Sequence, residues 1–82
     1  MHREIVESNE FFAQLQSLGD IERVDDALSA AYWALSRTPE NYPCIFRDIR
    51  MLKTYGTGEL PPLSVRFRLE GEQVVLLHVE PT

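Results

Sequence analysis

The stretch Leu63–Thr82, LSVRFRLEGEQVVLLHVEPT, decides how this chain folds. Leu63, Val65, Phe67 and Leu69 alternate with Ser64, Arg66, Arg68 and Glu70, the period of a strand with one dry face and one face bearing guanidinium groups. EGEQ at 70–73 reads as a turn, and VVLLHVE at 74–80 as the returning strand. The face that receives His78 depends on the turn. A two-residue loop places it with Val65 and Phe67, whereas a three-residue loop with Gly71 at positive φ places it with Arg66 and Arg68. The three-residue loop is the expectation, because it sets Val75, Leu77 and Val79 beside Phe67 on the dry side.

Upstream of the hairpin, GTGELPP at 56–62 holds two glycines and two prolines in seven residues and reads as a loop. IFRDIRMLKTY at 45–55 mixes apolar and basic residues without a clean alternation, and is expected as one strand with a bulge. Before it, NYPC at 41–44 reads as a turn. The strongest periodic signal lies earlier still, where Ile21, Val24, Leu28, Ala31 and Leu35 step by threes and fours, the apolar stripe of a helix. Asp20 can cap that helix, and Thr38-Pro39 ends it because the residue before proline disfavours helical angles. Ala27, Ala30 and Ala34 are small enough to let a first helix approach. That first helix carries Phe11, Phe12, Leu15 and Leu18, with Ser8 or Asn9 as cap and Gly19 as stop. Arg3–Glu7 supplies a short opening strand. The resulting order is strand, helix, helix, strand, strand, strand: an α+β fold with two helices on one face of a small antiparallel sheet, in one domain over residues 1–82.

Composition narrows the function classes. With 44% hydrophobic and 26% charged residues, the chain reads as a water-soluble globule. It has no apolar run near the roughly 18–20 residues of a membrane span, and MHREIVESNEFF is charged where a signal peptide would be apolar. A cytoplasmic location is the expectation. The net charge of −5 comes entirely from residues 1–42, which hold three basic and eight acidic side chains; the remainder is balanced at five of each. The balanced half with its basic strands is a weak recommendation for phosphate contact, whereas the overall charge of −5 argues against a tight RNA binder, whose affinity would rest on lysine and arginine displacing counterions. Cys44, the single cysteine, is expected as a small buried side chain. His2 and His78 have no ligand-spaced neighbours and there is no glycine-rich phosphate loop, so neither a metal nor an organic cofactor is expected.

The order of elements, together with IVESNEFFAQLQSLGD, DIERVDDALSAAYWALSRTPENY and above all SVRFRLEGEQVVLLHV, resembles the RelE/ParE toxin superfamily, small bacterial proteins of toxin–antitoxin pairs whose last strand pair is of the type YRVRYRIEGDEVVILRV. The resemblance covers most of the chain. In the RelE branch it implies a ribosome-dependent mRNA endonuclease working through basic residues on the exposed sheet face; in the ParE branch it implies binding to DNA gyrase. Two departures bear on activity. Ser64 stands where the family typically has arginine, and Glu80-Pro81-Thr82 stands where it continues with glycine and then lysine, histidine or arginine.

RNA cleavage of the implied kind needs a base for a 2′-hydroxyl, a cation for the phosphate and an acid for the leaving oxygen. Arg66, Arg68 and His78 are the catalytic candidates, with Arg50 and Lys53 as RNA-binding candidates. Against this, arginines on such a hairpin commonly pair with Glu70, Glu72 or Glu80, and His78 between Leu77 and Val79 suits a half-buried structural role. Trp33, with Tyr32, stands away from the helix stripe and marks a protein interface. The reading preferred on these residues is a noncatalytic RelE/ParE-like protein-interaction domain, with itself or an antitoxin-like protein as partner; the alternative is the mRNA endonuclease.

Overall fold

A computed structural model of the chain describes residues 3–19, 21–56 and 61–82, with residues 21–23 by backbone alone. The elements run β1 (Glu4–Glu7), α1 (Asn9–Ser17), α2 (Ile21–Arg37), a short 3-10 turn (Pro39–Asn41), β2 (Cys44–Phe46), β3 (Ile49–Lys53), β4 (Leu63–Glu70) and β5 (Gln73–Pro81). The Asp20 cap, the side chain of Ile21, His2 and the centre of the 56–62 loop lie outside the described residues. Ser8 caps α1, its hydroxyl accepting the Phe11 N–H, and Gly19 beyond its end has φ +69°. Helix α2 runs to Arg37, and Thr38 before Pro39 has left helical angles at φ −134° and ψ 53°.

The sheet order is β1-β5-β4-β3-β2. Four of these strands are antiparallel neighbours, but β1 lies parallel to β5, with Ile5 level with Val74 and Val6 with Val75. The sheet is therefore mixed rather than purely antiparallel: both helices and strands β2 to β4 lie in the chain between the parallel pair, ample for the long connection that such a pairing requires. Val24, Leu28, Ala31 and Leu35 from α2 and Phe11 from α1 share the core with Leu52, Leu63, Val65, Phe67, Val74, Leu76 and Val79. At roughly 25 cal/mol per Å² this burial is the main stabilising term. Helix α1 packs on β5; the small face of α2 at Ala27, Ala30 and Ala34 does not receive it and lines a groove instead.

Residues 45–55 form two strands where one bulged strand was expected. The hairpin turns at Arg47–Asp48, and Arg47 sits at φ 53°. No sequence signal announced it, because the left-handed position that usually carries glycine carries arginine. An L-residue there costs about 1–2 kcal/mol. Arg47→Gly is accordingly expected to raise stability by about 0.5–1 kcal/mol, net of the glycine entropy cost and of the exposed stacking of Arg47 over Phe46 at 5.2 Å. A higher urea midpoint at unchanged slope would show this, and an unchanged midpoint would mean that the turn is unstrained. Cys44, expected to be buried, is exposed, because β2 is the outer strand of the sheet.

Arg3 ties the ends of several elements together. Its backbone N–H donates to Ser36 O, its guanidinium to Gly71 O at 2.9 Å, and it pairs with the Glu40 carboxylate. A backbone hydrogen bond within Glu40 and the Arg3 contact hold that carboxyl below the usual range.

Candidate functional site

The β4–β5 hairpin closes with two residues, not the three expected. Glu70 pairs with Gln73, and Gly71 takes the first loop position at φ +60°. That register puts Val74 and Leu76, rather than Val75 and Leu77, under the helices. A two-residue loop alone would also have turned His78 inward. The ladder instead slips between Arg66 and Phe67: Phe67 faces Leu76 while Arg66 faces His78, leaving Leu77 as the extra residue. This bulge reverses the phase of the strand. His78 therefore shares the open face with Arg66, and Val79 returns to the core at 2% exposure.

The open face collects most of the candidates. Register places Met51 beside Arg66, Ile49 beside Arg68 and Lys53 beside Ser64, so Lys53, Arg66, Arg68 and His78 lie on the same side. Arg50 does not join them. It stands opposite Phe67 on the helix-covered side, donating to Tyr42 O at 2.6 Å and Glu40 O at 3.3 Å. Ser64, in place of an arginine, is buried and hydrogen-bonded to Thr82 Oγ1 at 2.7 Å.

Arg66, Arg68 and His78 on this face each have a carboxylate partner. Arg66 meets Glu80 Oε1 at 3.3 Å and Arg68 meets Glu70 Oε1 at 3.1 Å. The other Glu80 oxygen lies 3.3 Å from His78 Nε2, so one carboxylate bridges the arginine and the imidazole. Arg66 Nε and Arg68 Nε are shielded from solvent and make no hydrogen bond. Both side chains remain partly exposed, at 42% and 36%, where ion pairs contribute about 0–1 kcal/mol each.

Gln14 of α1 was missed at the sequence level. Its Oε1 accepts the Val79 N–H at 2.8 Å, filling the edge of β5 beyond the last β1 partner, Leu76. Its Nε2 lies 2.6 Å from His78 Nδ1. Because a backbone N–H can only donate, the amide orientation is set, and Nε2 is then the donor to Nδ1. In the neutral ring this contact selects the tautomer with its proton on Nε2, directed at Glu80. The signal that could have found Gln14 is its spacing: Phe11, Gln14, Leu15 and Leu18 share one helical face, so a polar residue stands in an apolar stripe.

The second feature is a groove of about 340 Å³ between the alanine face of α2, comprising Ala27, Ala30 and Ala34, and the segment Leu52–Tyr55, with Tyr42 also lining it. Its walls are mainly apolar. Tyr55 is 93% exposed and Trp33 62% exposed. Trp33 follows Ala30 by three positions, which makes it a neighbour on the helix surface, and Arg37 stacks over its ring at 4.3 Å. Tyr32 has a different position. Its ring packs against the core and its hydroxyl donates to Glu7 Oε2 at 2.6 Å; burial first, and then Glu7, push its ionisation up. Of the two expected interface aromatics, Trp33 is on the surface and Tyr32 ties α2 to β1.

Among the described residues no group of three or more His, Cys, Asp or Glu side chains could hold a metal ion, and no helix is long and apolar enough to cross a membrane. No family model and no curated protein matches the chain. Among solved structures, a chain of "Chromosomal ParDE TA system from P. aeruginosa" is similar over 99% of this chain and 97% of its own length, with a TM-score of 0.70 and 17% identity. At that identity the likeness is one of fold. The α+β class expected from the hairpin and helices, two helices against one sheet, is the observed architecture and the fold shared with that chain.

Proposed function

We propose that this chain is a noncatalytic RelE/ParE-like interaction domain of the cytoplasm whose partner is a protein, and that an antitoxin-like segment seats in the groove beside Trp33. The observation that carries this reading is the engagement of His78. RNA cleavage needs an imidazole free to exchange a proton, whereas here Nδ1 accepts from Gln14 and Nε2 is directed at Glu80. Arg50 lies on the far side of the sheet from Arg66 and Arg68, and both of those have a carboxylate partner. The groove, by contrast, offers small alanines to admit an apolar side chain and aromatic rings at its margins, the composition of contact-dominating residues in protein interfaces. The solved structure of like fold belongs to a ParDE TA system, which supports a protein partner of the antitoxin type.

The alternative, a ribosome-dependent endonuclease, draws on the sharing of one open face by Lys53, Arg66, Arg68 and His78. The two separate cleanly on expression of the chain alone in a bacterium. Growth and message lengths should stay unchanged; translation arrest with cut messages, lost in His78→Ala, would establish the enzyme instead. The groove has its own test. Ala30→Arg should weaken co-purification with the product of a neighbouring antitoxin-like reading frame by about tenfold or more, equivalent to at least ~1.4 kcal/mol. Equal recovery with both chains would place the contact elsewhere.

A further inference from the structure

The groove between α2 and the segment Leu52–Tyr55 is apolar over most of its walls, but it carries a charge at one end. Asp26, Ala30 and Ala34 all line it, and at four-residue spacing they form a single row along the helix. From Ala30 to Asp26 that row advances about 6 Å along the helix axis. Tyr42 and Tyr55 also line the groove, and Tyr55 is almost fully exposed.

The basic side chains around this row are directed elsewhere. Lys53 borders the groove, yet its register opposite Ser64 turns its side chain to the open face with Arg66. Arg50 donates to the carbonyls of Glu40 and Tyr42, and Arg37 lies over the Trp33 ring. Of the charged residues lining the groove, Asp26 is therefore the one placed on the helix side of the sheet. It stands in the second turn of α2, beyond the first turn, over which the helix dipole favours an anion. Asp25 is exposed next to it, and residues 1–42 hold the whole negative excess of the chain.

We infer that the segment seated in this groove is basic and amphipathic, laying an apolar side chain against Ala30 and Ala34 and setting a lysine or arginine head at Asp26. This rests on the groove being the docking site and adds the charge of what docks there. The four-carbon stem of a lysine is apolar, so it can run along the alanine row while its ammonium stays at the wet end. The faces of tyrosine rings attract a cation within about 6 Å of their centroids, and Tyr42 and Tyr55 supply two such rings. An acidic segment would meet Asp26 as a like charge, with a net charge of −5 behind it. Juxtaposed like charges are costly enough to reject a partner.

Fluorescence anisotropy of the full chain with two labelled leucine-rich amphipathic peptides tests this, the peptides being identical except that every polar position is lysine in one and glutamate in the other. The lysine peptide should bind at least about tenfold tighter, by a margin that shrinks at high salt because Asp26 is exposed. Asp26→Lys should erase the margin, and Asp26→Asn should reduce it about threefold should the charge reversal fail to fold. Glu72→Lys makes the same change in net charge at the exposed hairpin turn and should leave the margin intact. A lysine peptide that does not bind, a glutamate peptide that binds as tightly, or equal effects of Asp26→Lys and Glu72→Lys would each overturn the charge assignment. Ala30→Gln, which fills the groove without adding charge, separates this failure from that of the groove itself. Should Ala30→Gln weaken both peptides alike while Asp26→Lys affects neither, the docking site stands and only its charge preference falls; lysine-peptide binding that is unchanged in Ala30→Gln would overturn both.

Discussion

Phe67→Ala is expected to take away a large part of the stability of this chain and to lower its urea midpoint sharply. Phe67 is fully buried at the centre of β4, edge-on to Tyr42 with ring centroids 6.2 Å apart, and opposite Leu76. Truncating a buried phenylalanine costs about 3–5 kcal/mol. A chain of 82 residues at about 0.05–0.15 kcal/mol per residue has a total stability of about 4–12 kcal/mol. The loss therefore takes up a large part of the whole, and collapse of the surroundings into the cavity is hindered because Phe67 touches both the sheet and the segment ahead of β2. Near-ultraviolet circular dichroism and urea unfolding would register it. A cost below about 1 kcal/mol would mean that Phe67 is not central to the core.

The second large effect is expected at Gln14. Gln14→Leu keeps the volume but leaves the Val79 N–H and His78 Nδ1 without their partner. An unsatisfied buried polar group costs about 1–3 kcal/mol; with both groups only partly buried, the combined loss should be about 2 kcal/mol. The accompanying spectroscopic change is more diagnostic than the stability loss. Nitrogen-15 spectra of the wild type should show His78 with its proton on Nε2, and that preference should fall away in Gln14→Leu. Gln14→Glu should recover the Val79 hydrogen bond while reversing the requirement at Nδ1 from acceptor to donor, because a carboxylate has no proton to give. Wild-type spectra dominated by the Nδ1–H form would show that Gln14 does not govern the imidazole, and with it the case against His78 as a base would weaken.

The contrast between the hairpin and the residues ahead of it shows what could be read directly. Leu63–Leu69 and Val24–Leu35 repeat with the periods of their own elements, and Leu63, Val65 and Phe67, like Val24, Leu28, Ala31 and Leu35, are buried in step with those periods. The basic side chains have no such marker. Arg50 and Lys53 look equivalent in IFRDIRMLKTY, yet they stand on opposite faces because they are three positions apart and β3 runs between them without the expected bulge. Groove and edge were unreadable for a related reason. The alanine face of α2 could equally have received α1, and Cys44 is exposed only because β2 is last in the sheet order.

Alternation and helical spacing, which act between residues a few positions apart, determined the two helices, the dry side of the hairpin and the overall α+β class. Tertiary structure alone decided that β1 runs parallel to β5, that a bulge at Leu77 returns His78 to the arginine face, and that Gln14 and Glu80 engage the imidazole from either side. Those outcomes depend on contacts between residues such as Gln14 and His78, 64 positions apart. A single-residue slip in register moves every following side chain to the other face without altering the local pattern that a sequence displays.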